Sequence, residues 1–139
     1  MYNFNFQNKL FNLFIFQFND KMTNEDLNNY KNDINKILSL KLNNIFIVYD
    51  IRKVKKIDMN CFVSNINSLF EFTNLLKGVI KGCSIIVNNK YINTIKMIFK
   101  ILPNKICDSF IITKEAEEAF LYLNNLHNNN KISNIKLEL

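Results

Sequence analysis

Glycine and proline are almost absent from this sequence, with 2 Gly and 1 Pro in 139 residues. A glycine-rich phosphate loop needs several glycines in one short segment, so Rossmann-type and Walker-type nucleotide binding is excluded. Tryptophan is missing and His127 is the single histidine. Nucleophilic catalysis needs a side chain with an activating base in reach, and one histidine near the end of a terminal helix reads instead as a dipole-favoured surface group. The cysteines Cys61, Cys83 and Cys107 are odd in number and widely spaced, with no Cys-x-x-Cys pair. They form neither a disulfide framework nor a zinc site, and each reads as a small buried residue in a reducing compartment. No run of about 18 apolar residues occurs, and the N-terminus lacks a basic region followed by an apolar stretch, so neither a membrane span nor a signal peptide is expected. A soluble, cytoplasmic protein without metal or cofactor is the expectation.

What is present is apolar. Hydrophobic residues make up 48% of the chain and charged residues 22%, enough to offset the ordering entropy of one core but too short a chain for two ordinary domains. Asn, Lys, Ile and Phe dominate, and Arg52 is the one arginine. These are residues with A- and T-rich codons, which points to an AT-rich genome such as that of a large DNA virus, some protists or certain bacteria. The net charge of +6 is discounted for the same reason. The lysines are dispersed apart from the cluster Arg52, Lys53, Lys55 and Lys56, and no aromatic residues interleave with it as a stacking platform would require, so nucleic acid is disfavoured as a partner.

Along the chain, Tyr2, Phe4 and Phe6 alternate with polar residues, and Leu10 to Phe18 follows after a turn at Asn8 and Lys9, so two strands are expected to open the fold as a hairpin. Phe14, Phe16 and Phe18 belong to one face, Phe11, Leu13 and Ile15 to the other. Thr23 stands as an N-cap before Glu25 and Asp26, and Leu27, Tyr30, Ile34, Ile37 and Leu38 recur at helical spacing, predicting a helix over 24–41. Ile45 to Tyr49 reads as a central strand ending at Asp50. A polar connection, Arg52 to Lys56, leads to a second helix starting near Asp58. Gly78 and Gly82 bracket a turn into a strand over 84–87. Asn88 or Asn89 caps a third helix that Pro103 stops, Cys107 to Ile112 is the last strand, and Thr113 caps the last helix. The prediction is a single α/β domain over 1–126: a mixed, mostly parallel sheet of about five strands, an N-terminal antiparallel hairpin and four helices, with 127–139 as a polar tail.

Two carboxylates stand where open α/β sheets bind ligands, Asp50 at a strand end and Asp58 at a helix start. Each also has a complete local explanation, Asp58 as an N-cap and Asp50 as a bond to its own turn, and the local explanation is favoured.

The segment from Ile45 to Val63, IFIVYDIRKVKKIDMNCFV, resembles the centre of STAS domains, the family of anti-sigma-factor antagonists and sulfate-transporter tails. There a strand ends in Asp and an Ile-Asp-Ser-Ser-Gly-like motif opens the next helix. The order of elements is similar over roughly 1–126, and Glu115 to Ala119 resembles the family's ending. Asp50, Ile51 and Arg52 match the Asp-hydrophobic-Arg of a STAS-like branch that shares its fold with lipid-carrying CRAL-TRIO domains. Position by position, Asp58 matches the motif's Asp, Met59 and Asn60 stand in place of its serines, and Cys61 stands in place of its glycine. The first of those serines accepts phosphate in the antagonists, and Met59 cannot. The resemblance implies a docking surface without that switch, or with another at Ser64 or Ser68.

The expected function is a non-enzymatic regulatory or adaptor module. It binds a protein partner through Asp50, Asp58, Met59, Asn60 and Cys61, with Arg52, Lys53, Lys55 and Lys56 steering an acidic surface. The alternative, suggested by 13 Phe and the CRAL-TRIO likeness, is a carrier or sensor of a lipid or other apolar ligand.

Overall fold

The computed structural model describes residues 2–7, 12–55, 64–65, 67–69, 71, 73–101 and 109–138. Four strands, β2 (Asn12–Asp20), β3 (Ile45–Val54), β4 (Ile80–Ile86) and β5 (Phe110–Thr113), lie side by side in sequence order and are all parallel. β1 (Tyr2–Gln7) lies antiparallel along β2, with Tyr2 opposite Phe18 and Gln7 opposite Leu13. The helices are α1 (Asn24–Ser39), a stretch α2 to which the helical residues 64, 65, 67–69, 71 and 73 belong, α3 (Ile92–Ile101) and α4 (Ala116–Glu138). A short 3-10 turn, Asn74–Leu76, follows α2.

The alternation in β2 sorts its side chains as the sequence requires. Phe14, Phe16 and Phe18 are buried in a large core with Tyr30, Ile34 and Ile37 of α1, Leu69 of α2, and Ile95, Ile98 and Phe99 of α3. Leu13 belongs to a smaller core on the other face, where α4 packs Ala119 and Leu123 against Phe46, Val48 and Ile86. Three helices therefore share one face and α4 covers the other. Thr23 caps α1 through a reciprocal capping box. Its hydroxyl accepts from the Asp26 N–H at 3.1 Å, and the Asp26 carboxylate accepts from the Thr23 N–H at 3.0 Å.

Several expectations are corrected. β3 does not end at Asp50. It runs to Val54, so Arg52 and Lys53 are strand residues and the expected polar loop has not begun. A bulge explains this: Ile51 and Val54, three residues apart, are both buried in the large core with exposed Arg52 and Lys53 between them, because β3 carries one extra residue against β2 between Gln17 and Asn19. Of the two glycines, only Gly78 makes the turn, at φ +90. Gly82 lies inside β4, where a Cβ would come within 2.7 Å of Leu126 and 3.1 Å of Phe46. It is glycine because α4 and β3 approach that closely. β5 runs from Phe110 to Thr113, so Thr113 is a strand residue. It still organises the start of α4, its hydroxyl accepting from the Glu115 N–H at 3.2 Å and donating to Glu118 at 2.7 Å. Residues 127–138, expected as a tail, are the second half of α4. No glycine or proline interrupts the helix between 116 and 138, and its first half is anchored on the sheet. His127 is therefore in mid-helix and partly buried, its ring edge-on to Phe46 with centroids 5.9 Å apart.

Candidate functional site

The residues expected to carry function divide between described and undescribed parts of the chain. Lys56, Asp58, Met59, Asn60 and Cys61 lie outside the described residues, as do Cys107 and Pro103. Asp50, Arg52, Lys53 and Lys55 are described, and β3 brings the first two together.

Two residues apart on one strand, Asp50 and Arg52 point to the same side of the sheet, the side that α4 covers. The Arg52 guanidinium grips the carboxylate at two points, Nε to Oδ1 at 3.0 Å and Nη2 to Oδ2 at 2.8 Å. The Arg52 backbone N–H donates to Oδ1 as well, at 3.1 Å. Gln17 sits across from Asp50 in the β2–β3 register, and its Nε2 donates to Oδ2 at 3.4 Å. The Asp50 side chain is only 9% exposed while that of Arg52 is 43% exposed, so the pair is a nearly buried anion held by a cation at the solvent boundary. Burial by itself would raise the Asp50 pKa. The guanidinium and backbone hydrogen bonds from Arg52, its charge, and Gln17 outweigh that and hold the carboxyl below its usual range. The bonds to Asp50 likewise raise the Arg52 pKa, burial opposes this, and the charges of Asp50 and Glu115 support it. An ionised, fully engaged carboxylate is a poor proton acceptor, and Asp50 is held as a fixed charge rather than poised as a base.

Around this pair the strand ends carry charges of both signs. Lys55, expected to steer an acidic partner, pairs with Asp20 at 3.2 Å and donates its backbone N–H to the Asp20 carbonyl at 3.0 Å. Lys53 is exposed. The Lys55 carbonyl accepts from the Tyr91 hydroxyl at 3.3 Å, and Lys90 lies 5.4 Å from the Tyr91 ring. Of the two alternative switch serines, Ser64 is exposed, and Ser68 donates to the Ser64 carbonyl at 3.2 Å.

A second polar group lies in the large core and was not foreseen. The hydroxyls of Tyr30, Tyr49 and Thr73 meet with no water-facing surface. Thr73 has one proton and gives it to the Leu69 carbonyl at 2.6 Å. Tyr30, in short contact with the Thr73 hydroxyl, must therefore donate to it, and Tyr49 must donate to Tyr30, at 2.6 Å. The chain runs Tyr49 to Tyr30 to Thr73 to the α2 backbone and is satisfied within itself. Burial pushes the pKa of both tyrosines far above the ordinary tyrosine value, so both stay protonated. Beside it an apolar cleft is lined by Phe18, Met22, Tyr49, Ile51, Leu69 and Phe99.

Gln17 as a neighbour of Asp50, and Glu115 as a charge near Arg52, were missed, since their proximity is a matter of strand register and of where α4 starts. One signal was legible: in a chain that uses lysine for nearly every other cation, the single arginine stands where a planar, two-point grip on a carboxylate is made.

Among the described residues no group of three His, Cys, Asp or Glu is placed to hold a metal ion, and no helix is long and apolar enough to cross a membrane. No family model and no curated protein matches the chain. Among solved structures it is similar to the crystal structure of an uncharacterised protein of the DUF3478 family with a SpoIIAA-like fold, from Shewanella loihica PV-4. The two share 14% sequence identity with a TM-score of 0.61, over 88% of this chain and 92% of that one. With its parallel strands, helices on both faces and this agreement over most of both chains, the protein has a SpoIIAA-like, that is STAS-like, fold.

Proposed function

We propose that this domain is a non-enzymatic adaptor or regulatory module that binds a protein partner at the C-terminal edge of its sheet. The observation that carries the reading is the Asp50–Arg52 pair, a preorganised charge constellation on a rigid strand with Arg52 half exposed. Rigid polar groups at such an edge lose little freedom on association, which favours binding without a moving part. The mixture of signs fits a protein surface better than a polyanion. Phosphates meeting Lys53 and Arg52 would also meet Asp20 and Glu115, whereas a protein can offer a complementary pattern of both charges. Residues 56–61 complete this edge in the reading taken from the sequence, with Asp58, Met59, Asn60 and Cys61 in the contact. The work is done in the reducing cytoplasm, in keeping with the buried thiol of Cys83.

The test is purification of the tagged chain from its native cell beside a Lys53→Glu/Lys55→Glu form, followed by association kinetics with whatever protein is retained. The expected result is a partner held by the wild type and bound at least about tenfold more slowly by the charge-reversed form, since rim charges act mainly on the association rate. Equal association rates for both forms would sink the proposal.

A second reading, a carrier of an apolar ligand, is supported by the cleft beside Tyr49. The neighbouring hydroxyls are already used by one another, so such a ligand would be held by its apolar surface alone. A stoichiometric lipid in the purified protein, with no protein partner, would favour this reading over the first.

A further inference from the structure

The end of the sheet opposite Asp50 differs in kind. There the turn after α1 and the turn after the 3-10 helix meet, the Ile45 N–H donating to the Val79 carbonyl at 3.0 Å. Three leucines at this end face solvent: Leu38 is 37%, Leu40 53% and Leu75 58% exposed. Lysines lie beside them, Lys36 and Lys41 around the first pair and Lys77 two residues beyond Leu75. The two turns that meet here carry no carboxylate: no Asp or Glu occurs in residues 38–44 or 74–79, although Lys36 one turn earlier pairs with Asp33 at 3.7 Å. Lysines are expected near helix C-termini, where they complement the dipole. That accounts for Lys36 and not for exposed leucines clustered among the lysines.

We infer that this end of the domain is a docking surface for an anionic lipid bilayer, its leucines entering the headgroup region and its lysines drawn to the lipid phosphates and carboxylates. Aliphatic side chains ringed by cations suit an interface that is apolar below and anionic above. Nucleic acid would use the lysines and leave the leucines wet, since a phosphate backbone offers them no apolar contact. The surface is also spatially separate from the Asp50 edge, so a bilayer and a protein partner can be held together.

The test is co-sedimentation of the full chain with phosphatidylcholine vesicles, with and without phosphatidylserine. Binding is expected only when phosphatidylserine is present. A lysine near an anionic surface is worth about a fivefold change in affinity, so Lys41→Asn with Lys77→Gln should weaken binding roughly 25-fold. Asn is chosen at Lys41 because the residue has φ 53, which Asn tolerates. Leu40→Ser with Leu75→Ser should weaken binding with every lysine kept, and Arg52→Ala should leave it unchanged. All these positions are exposed, and unchanged circular dichroism would show each variant folded. The inference is overturned if phosphatidylserine adds nothing, if the lysine variant binds as the wild type does, or if the leucine variant is unaffected. It is also overturned if the same lysines bind duplex DNA while vesicles do not sediment the protein. Because Arg52 lies at the other end, loss of membrane binding in the lysine variant with partner binding intact separates this inference from the proposed function.

Discussion

Asp50 shows how one neighbour can reverse the sense of a titration. Its nearly buried carboxylate would titrate high if burial acted alone, yet the grip of Arg52 brings it below the usual range. Since the folded-state pKa is lower than the unfolded one, about 3.9, the pair stabilises the fold at pH values above that. The contribution fades as the pH falls through the depressed value. Arg52→Ala removes the guanidinium bonds and charge and leaves only the backbone N–H of residue 52 and Gln17 to oppose burial, so the Asp50 pKa should rise. Carbon-13 NMR titration of the Asp50 carboxyl would show this, and a pKa unchanged in the variant would contradict the account. The stability cost at neutral pH should be about 1–2 kcal/mol, the range for a charged hydrogen-bonded pair reduced because Arg52 is partly solvated. Arg52→Lys should restore only part, because an ammonium cannot make the two-point contact. This site was half legible in the sequence. Asp50 stood out at a strand end and Arg52 within a basic cluster, but the cluster was taken for a loop. Four nearby cations concealed the period-two pattern that places Asp50 and Arg52 on one face.

At the scale of elements, two close contacts hold the layers in register. The first is the approach of α4 to the sheet at Gly82. Gly82→Ala would set a methyl against the side chains of Leu126, Leu123 and Phe46 at 2.7–3.1 Å, so these packed side chains or α4 must give way. A loss of about 1–3 kcal/mol is expected in denaturant unfolding, in the range for overpacking. The second is the hydroxyl chain linking β3, α1 and α2. Its direction makes two similar substitutions unequal. Tyr49→Phe removes only the first donor and leaves every remaining proton placed. Tyr30→Phe removes the middle link, so Tyr49 and Thr73 are left only the long contact between their own hydroxyls, at 3.5 Å. Tyr30→Phe should therefore cost about 1–2 kcal/mol more than Tyr49→Phe in the same unfolding measurement. Equal costs would mean that the assigned direction is wrong. The strands and helices themselves were largely readable, because the phenylalanine alternation of β2 and the Thr23 cap are strong local signals. The hydroxyl chain was not, since it joins residues up to 43 positions apart, and Tyr30 and Tyr49 read equally well as plain core residues. Gly82 was mistaken for a turn residue because a glycine demanded by close packing and one demanded by positive φ look alike in a sequence.

For the whole molecule, the parallel sense of β2 to β5 decides where charge collects. Each connecting helix must return against the strands, so the N-termini of α1 and α4 open at the Asp50 end and the C-terminus of α1 closes at the Leu40 end. Carboxylates favour helix starts, and Glu25, Asp26, Glu117 and Glu118 occupy the first turns of α1 and α4. At the opposite end, the turns 38–44 and 74–79 carry Lys41 and Lys77 and no carboxylate. The sorting is a by-product of topology and capping, and it gives the molecule an electric axis along its strands. Such an axis exerts a torque on a body still in solution. Within about one Debye length of a negatively charged surface, roughly 8 Å at physiological salt, the protein would turn its lysine end inward before any atom touches. Orientation would then be settled by the field on approach, and added salt would slow the search for the correct pose even where the final contact was unchanged.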